Sequence, residues 1–309
     1  MITSAFVLGA GLGTRLKSLT KECPKPLVPV ANKPLITYAF DHLLGAGVDR
    51  FIVNTHWRAD AYAAAFPDAT YRGFPIEFRR EAPEILETAG GIKNVEDLLL
   101  GETFIVYNGD ILTDLPLSAA MNAHFAAQNE VTMVLRSKDG PLQVAFDQAT
   151  QRIADISNRI DPHSRSAFLF TGIYLIDPAF FQRIPPKTKI SVIPIFLEMI
   201  RTGARLGGIV IDEGHWWDLG TREQYLAVHA FLGGDRPNTV WIDHSARVAR
   251  DAKLSGVTAI GARAVIGARA SLRDCIVWEG ARIEEGSALD QCIVTAHAQI
   301  SGRHTREDL

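Results

Sequence analysis

Aliphatic side chains return at every sixth position along the C-terminal part of the chain, at Ile242, Val248, Leu254, Ile260, Ile266 and Leu272, with Gly261, Ala264, Gly267 and Ala270 between them. An amphipathic helix needs an apolar period near 3.6 and a half-buried strand a period of 2, so neither accommodates a strict six. Three flat sides of six residues do. One aliphatic per side then points into a triangular prism of stacked parallel strands, a parallel β-helix. The register weakens after Leu272 and resumes at Val277, Ile283 and Leu289, and the charged tail 303–309 is expected to fray.

Up to about residue 232 the pattern is different: short β-branched or aromatic runs alternate with longer amphipathic segments, the signature of βα units feeding a largely parallel sheet. Strands are expected at 5–8, 50–54, 76–78, 104–107, 131–135, 143–146, 168–176 and 206–211. Helices are expected to start near Pro34, Ala59, Gly91, Pro116, Pro178, Pro194 and Arg222, four of them at a proline, which the first helical turn tolerates. This predicts a three-layer, mostly parallel, Rossmann-like α/β domain. The flexible and turn-forming run Gly233-Gly234-Asp235-Arg236-Pro237-Asn238 reads as a linker, so the expected domains are 1–233 and 238–309.

Composition narrows the function classes. In 309 residues, 47% are hydrophobic and 22% charged, ordinary for a globular chain and unlike disordered or membrane-spanning ones. The formal charge of −3, with basic residues scattered among acidic ones, argues against nucleic acid as a partner. Cys23, Cys275 and Cys292 form no metal or disulfide framework, and the apolar stretch 2–8 lacks the basic flank of a signal peptide and is too short to span a bilayer. A cytoplasmic protein with no membrane partner is expected.

The chemistry starts after the first expected strand, with Leu8-Gly9-Ala10-Gly11-Leu12-Gly13-Thr14-Arg15-Leu16 followed by Pro24-Lys25-Pro26-Leu27. Glycines there let backbone N–H groups approach phosphate oxygens, and Arg15 and Lys25 can neutralise the same ligand. A tight turn flanked by solvated cations would look alike. Thr14 stands where the dinucleotide fingerprint needs a glycine, no acidic residue follows about 20 positions on, and no GxxxxGK[ST] loop is present, so the Rossmann-cofactor and P-loop readings both fail. Further on, Phe104-Ile-Val-Tyr-Asn-Gly-Asp110 ends an apolar strand with a carboxylate at the edge where open α/β sheets bind ligands. A hard carboxylate suits Mg²⁺ but could equally cap a turn, and Asp114, before Leu115-Pro116, reads as the start of a helix.

Together, residues 8–30 resemble the GxGxRL…PKPL signature of the nucleoside-triphosphate:sugar-1-phosphate nucleotidyltransferases. The resemblance implies that the loop, with Leu8, Gly9, Ala10, Gly11, Gly13 and Thr14, wraps the triphosphate, while Arg15 and Lys25 act as the catalytic cations. It also makes Asp110, in the family's NGD motif, and Asp218, in Trp216-Trp217-Asp218-Leu219-Gly220-Thr221, the two Mg²⁺ ligands. The segment Glu84-Ile-Leu-Glu-Thr-Ala-Gly-Gly-Ile92 is similar to the stretch that lies along the nucleobase, which implies Glu87, Thr88 and Gly90 as nucleotide contacts. Glu87 replaces the usual glycine there, as in the N-acetylmuramate-1-phosphate uridylyltransferase group, and this favours UTP. On the sugar side the Tyr-Gly and Glu-Lys pairs of many members are missing at Gln143-Val144 and near Asn158, while Phe170-Thr171-Gly172-Ile173-Tyr174 is retained. Gln143, Asn158, Thr171 and Gly172 are then the implied sugar contacts. The C-terminal repeat resembles the hexapeptide, left-handed β-helix domain.

The resemblance implies an enzyme of nucleotide-sugar biosynthesis that moves a nucleoside monophosphate from a nucleoside triphosphate to a sugar-1-phosphate, with the β-helix as a site of homo-oligomerisation. The alternatives are a mannose-1-phosphate guanylyltransferase or another GTP- or dTTP-using enzyme, and a non-catalytic subunit that senses nucleotide sugars. Intact Arg15, Lys25, Asp110 and Asp218 count against the sensor. Histidine-dependent acyl transfer at His244 or His297 lacks the extruded loop and cofactor-binding element it would need.

Overall fold

The computed structural model describes residues 2–11, 13–236 and 238–309, apart from the side chain of Lys17. Leu12 of the glycine loop and Pro237 of the linker therefore lie outside the described residues. Two compact units are present, one of Met1–Leu12, Pro24–Leu27 and Leu35–Asp218, the other of Gly13–Cys23, Val28–Pro34 and Leu219–Leu309.

The first unit is built on a mixed sheet, ten-stranded among the described residues. Its order is Val144–Asp147, Arg152–Ile156, Leu206–Val210, Val131–Arg136, Leu169–Ile176, Phe104–Asn108, Ser4–Leu8, Arg50–Thr55, Phe74–Arg80 and Thr70–Tyr71. Strands Phe104–Asn108, Ser4–Leu8, Arg50–Thr55 and Phe74–Arg80 pair in parallel, with Leu8 opposite both Asn54 and Asn108. Their carboxyl ends therefore share one edge. Ser4–Leu8, Arg50–Thr55 and Phe104–Asn108 are buried on both faces, which is why they read as continuous apolar runs, whereas Phe74–Arg80 buries Ile76 and leaves Phe74, Glu77 and Arg80 exposed. The other half of the sheet is largely antiparallel, since Leu169–Ile176 runs against both neighbours and Val144–Asp147 pairs with Arg152–Ile156.

Several local expectations shift. The helix expected near Gly91 begins at Glu87, with Gly90 and Gly91 inside it. Glycine weakens a helix interior, but a Cβ on Gly90 would lie 2.4 Å from the Thr188 carbonyl oxygen, so tertiary packing overrides local propensity. The element at Pro178 is a 3-10 helix, and the next begins at Val192 because the Ser191 hydroxyl caps Ile193 N–H. Asp114 does not cap the helix Leu117–Ala126; its carboxylate takes the backbone and ring N–H groups of His215 instead.

In the second unit the six-residue period becomes three four-stranded parallel sheets. Strand Thr239–Ile242 pairs with Val257–Ile260 at an offset of one 18-residue coil, as Ile242 opposite Ile260 shows. The next coils are one residue shorter, with Ile260 opposite Val277 and Ile266 opposite Ile283, and the last pairing is shorter still, with Leu289 opposite His304. That shortening explains the interrupted register: Asp274 and Gln291 turn the corner in the left-handed backbone region, and buried Cys275 and Cys292 follow them in successive coils. Ile260, Ile266, Leu272, Val277, Ile283, Leu289 and Val294 fill one apolar prism, a β-helix of the left-handed hexapeptide class. The tail does not fray as expected. Arg303–Thr305 completes a sheet, Asp308 pairs with Arg222, and Leu309 packs on the prism while its backbone bonds to Ile293 and Thr295.

Helix Arg222–Gly233, opened by a Thr221/Gln224 capping box, belongs to the same unit. Its buried His229 donates from Nδ1 to the Tyr225 carbonyl at 2.7 Å and accepts the Ala31 N–H at 3.1 Å, an arrangement only the neutral ring can make. Burial pushes its pKa down to about 4 in accord with that role. No helix among the described residues is long and apolar enough to cross a membrane.

Candidate active site

The parallel edge of the first unit is organised by a buried polar chain. Gly9 N–H donates to Asn54 Oδ1 at 2.8 Å, Asn54 Nδ2 to Glu81 Oε1 at 2.7 Å, and Leu86 N–H to Glu81 Oε2 at 2.7 Å. Tyr62 closes the start of the loop by donating to the Gly9 carbonyl at 2.7 Å. A Cβ on Gly9 would stand 2.6 Å from the Asn54 carbonyl oxygen, so the loop can leave the strand this closely only as glycine. Glu81 is 1% exposed, and burial raises its carboxyl pKa while the Leu86 and Asn54 hydrogen bonds act in the other direction. One carboxylate thus ties the glycine loop to the segment that opens helix Glu87–Lys93. Asn54, Tyr62 and Glu81 escaped the sequence reading; the only signal was a polar residue ending an otherwise apolar strand.

A second cluster gathers charge. Gly109 N–H bonds to the Leu8 carbonyl at 3.0 Å and sets Asp110 beside the first strand. After it, Ile111–Thr113 forms an antiparallel ladder with Trp216–Asp218, in which Asp218 faces Ile111. This pairing brings together two carboxylates far apart in sequence. Lys25 Nζ lies between them, 2.7 Å from Asp110 Oδ2 and 3.1 Å from Asp218 Oδ1. The Lys25 side chain is 5% exposed, while the carboxylates keep 31% and 24% of theirs open. The half-buried His42 ring accepts from Tyr107 OH at 2.9 Å and donates to the Leu115 carbonyl at 2.6 Å, and burial holds its pKa below the usual histidine value.

The remaining predicted residues are placed as follows. Leu8 is half-buried, Ala10 buried and Gly11 exposed, all leading from the first strand. Glu87 is exposed and holds a left-handed backbone, φ 60°, which suits the glycine it replaces. The Thr88 hydroxyl accepts Val192 N–H at 2.8 Å, and Gly90 N–H bonds to the Ile190 carbonyl at 3.0 Å, so both already hold neighbouring backbone. Gln143 is half-buried at an edge strand, and Asn158 is exposed, accepting from Ser164 and Ser166 in a loop centred on Asp155. Thr171 is buried, donates to the Val134 carbonyl at 2.8 Å and offers its own carbonyl to Trp216 Nε1 at 2.9 Å. Gly172 follows at a register shift, with φ 82°. In the second unit, Gly13 precedes the 3-10 turn Thr14–Thr20 in left-handed conformation, Thr14 and Arg15 are exposed, and the Arg15 guanidinium lies on Gly220.

A strand-borne glycine loop, two convergent carboxylates and a buried lysine between them describe a nucleotidyl-transfer class of fold and site. The nucleotidyl transferase family profile matches residues 4–234, and the chain belongs to that family. A second profile, the GMPPB C-terminal domain, matches residues 237–307. Similar proteins include a mannose-1-phosphate guanylyltransferase of Mycobacterium tuberculosis, 30% identical over 93% of this chain and 83% of that protein. An N-acetylmuramate alpha-1-phosphate uridylyltransferase of Neisseria meningitidis serogroup B is 31% identical over 74% of this chain and 98% of that protein. Among solved structures, HddC from Yersinia pseudotuberculosis aligns with 73% of this chain and 97% of its own at a TM-score of 0.62 and 23% identity, a likeness of fold.

Proposed function

We propose that the protein transfers a nucleoside monophosphate from a nucleoside triphosphate to a sugar-1-phosphate, and that UTP is its nucleotide. The observation that carries the chemistry is the Asp110–Lys25–Asp218 cluster. A positive group already occupies the point where the two carboxylates converge, and their hard oxygen donors fit a Mg²⁺ ion shared with phosphate oxygens. When bound there, the metal offsets charge on the triphosphate.

The chain's own contribution is positioning and charge. The Asn54–Glu81 chain holds Gly9, and the backbone of Ala10 and Gly11 beyond it lines the triphosphate. Lys25 turns its ammonium to the α-phosphate, and Arg15 offsets the departing pyrophosphate. A sugar-phosphate oxygen then attacks the α-phosphorus in line; the new P–O bond forms as the bond to pyrophosphate breaks, with no protein nucleophile. Gln143, Asn158, Thr171 and Gly172 mark the proposed sugar side. The β-helix serves self-association: Leu309 packs against the prism, while Ile242 in the first coil remains 49% exposed. Two buried thiols, Cys275 and Cys292, suit a cytoplasmic setting.

Glu87 supports UTP, through the stretch it shares with the uridylyltransferase group. A second reading, GTP with mannose-1-phosphate, is favoured by the guanylyltransferase relative that spans both domains. Thermal shifts with Mg²⁺ and UTP, dTTP, GTP, ATP or CTP separate the two. A ligand at 100 times its Kd adds about 2.7 kcal/mol of stability, enough to see as a melting shift, and at one common concentration the tighter binder shifts more. UTP is expected to give the largest shift, and a larger one with GTP replaces the uridylyl reading by the guanylyl one.

A further inference from the structure

The residues leading into Trp216–Asp218 contribute little to the core: Ile211 is buried, but Asp212 is half-exposed and Glu213, Gly214 and His215 are exposed. A segment of this kind would ordinarily be loose. Yet beneath it lies Arg136, the last residue of strand Val131–Arg136, whose side chain is 0% exposed. Its guanidinium pairs with Asp139 Oδ2 at 2.6 Å and donates to four consecutive carbonyls: Ile211 at 3.3 Å, Asp212 at 3.4 Å, Glu213 at 3.0 Å and Gly214 at 3.2 Å. Next to it, Ser137 donates from its backbone and hydroxyl to the two Asp212 carboxylate oxygens at 2.9 and 2.7 Å. At the far end of the segment, Thr113 Oγ1 donates to the His215 carbonyl at 2.6 Å and Trp216 Nε1 to Thr171.

Burying a guanidinium to fasten exposed backbone is a costly arrangement, and only arginine has the planar set of donors to reach four carbonyls and a carboxylate together. What the fastening gains is the position of the strand that follows. We propose that Arg136, seconded by the Ser137–Asp212 link, is a positioning residue that holds Asp218 at its working separation from Asp110. Arg136 itself touches neither carboxylate. The inference rests on the reading of Asp218 as a metal ligand. Freed from Arg136, segment 211–215 gains backbone freedom, and the pair of carboxylates no longer presents a fixed separation to a cation.

The test is Mn²⁺ binding by titration calorimetry with a non-hydrolysable nucleoside triphosphate present, alongside melting temperature and steady-state turnover. Arg136→Lys keeps the charge facing Asp139 but not the fork. It is expected to weaken Mn²⁺ binding by roughly tenfold or more, the usual effect of removing a group that orients a ligand. Turnover should recover at saturating metal. Asp212→Asn, a change at a half-exposed position, should shift binding the same way by a smaller factor, and it decides the matter if Arg136→Lys does not fold. Wild-type Mn²⁺ affinity in the folded variant overturns the proposal. Asp218→Asn distinguishes the two levels: unchanged Mn²⁺ affinity there overturns the metal reading itself, whereas lost affinity there with unchanged affinity in the Arg136 and Asp212 variants overturns only the positioning role.

Discussion

Asparagine at Asp110 or at Asp218 is expected to remove nearly all turnover and leave the fold intact. Each substitution keeps the shape of the side chain and takes one negative charge from a cluster that holds two carboxylates and one ammonium. Lys25 then still has one carboxylate partner, so no buried charge is stranded, and both changed side chains are partly open to solvent. The expected loss is in the hold on Mg²⁺, whose positive charge offsets that of the triphosphate. If the metal-assisted part of the barrier amounts to about 4 kcal/mol, kcat/KM should fall roughly a thousandfold at 1.36 kcal/mol per decade. Pyrophosphate release and thermal melting on the same preparations check both halves of the expectation. Near-wild-type release by either variant at saturating Mg²⁺ would remove that carboxylate from the metal site.

A comparable effect, on stability rather than rate, is expected from Ile266→Asp. Ile266 is 1% exposed and lies between Val248 and Ile283 in one sheet of the prism, surrounded by aliphatic side chains and small residues. An aspartate there has no cation within the prism to pair with, and it must carry a proton or a desolvated charge. The cost should exceed about 4 kcal/mol, at the extreme of what single substitutions do. Chemical denaturation followed by circular dichroism should show the β-helix transition lost or shifted to low denaturant. Arg269→Ala, on an exposed side chain in the following turn, should stay within about 0.5 kcal/mol of wild type. Equal midpoints for the two variants would contradict the inward direction of Ile266.

The sequence exposed the strands buried on both faces and the prism, because in both cases one physical demand repeats at a fixed interval. It hid the strand Arg152–Ile156, whose buried Asp155 accepts backbone N–H groups from Ile156, Arg159, Ile160 and Asp161. Gly90 and Gly91 lie inside a helix rather than at its start, because what excludes a Cβ is the Thr188 carbonyl oxygen at Gly90 and the Glu81 carboxylate at Gly91, not a local turn. Asp114 looked like a helix cap until His215, 101 positions away, took its carboxylate. The tail looked frayed because its partners, Arg222 and the strand Ala288–Asp290, lie well before it in the chain. Within the candidate site, motif resemblance singled out Asp110 and Asp218 from many acidic residues. The ladder between Ile111–Thr113 and Trp216–Asp218, which makes them neighbours, has no local sequence signal. Nor does Arg136, whose role depends on carbonyls some 75 positions further on.

The most direct measurement is pyrophosphate release by the wild-type protein with Mg²⁺, across a grid of nucleoside triphosphates and sugar-1-phosphates. Pyrophosphate should form only when both substrates are present, with UTP the preferred triphosphate and the paired nucleotide sugar appearing in equal amount. A protein that shows a thermal shift with a nucleoside triphosphate and Mg²⁺, yet releases no pyrophosphate with any sugar-1-phosphate, would contradict the account and favour a nucleotide-sugar sensor.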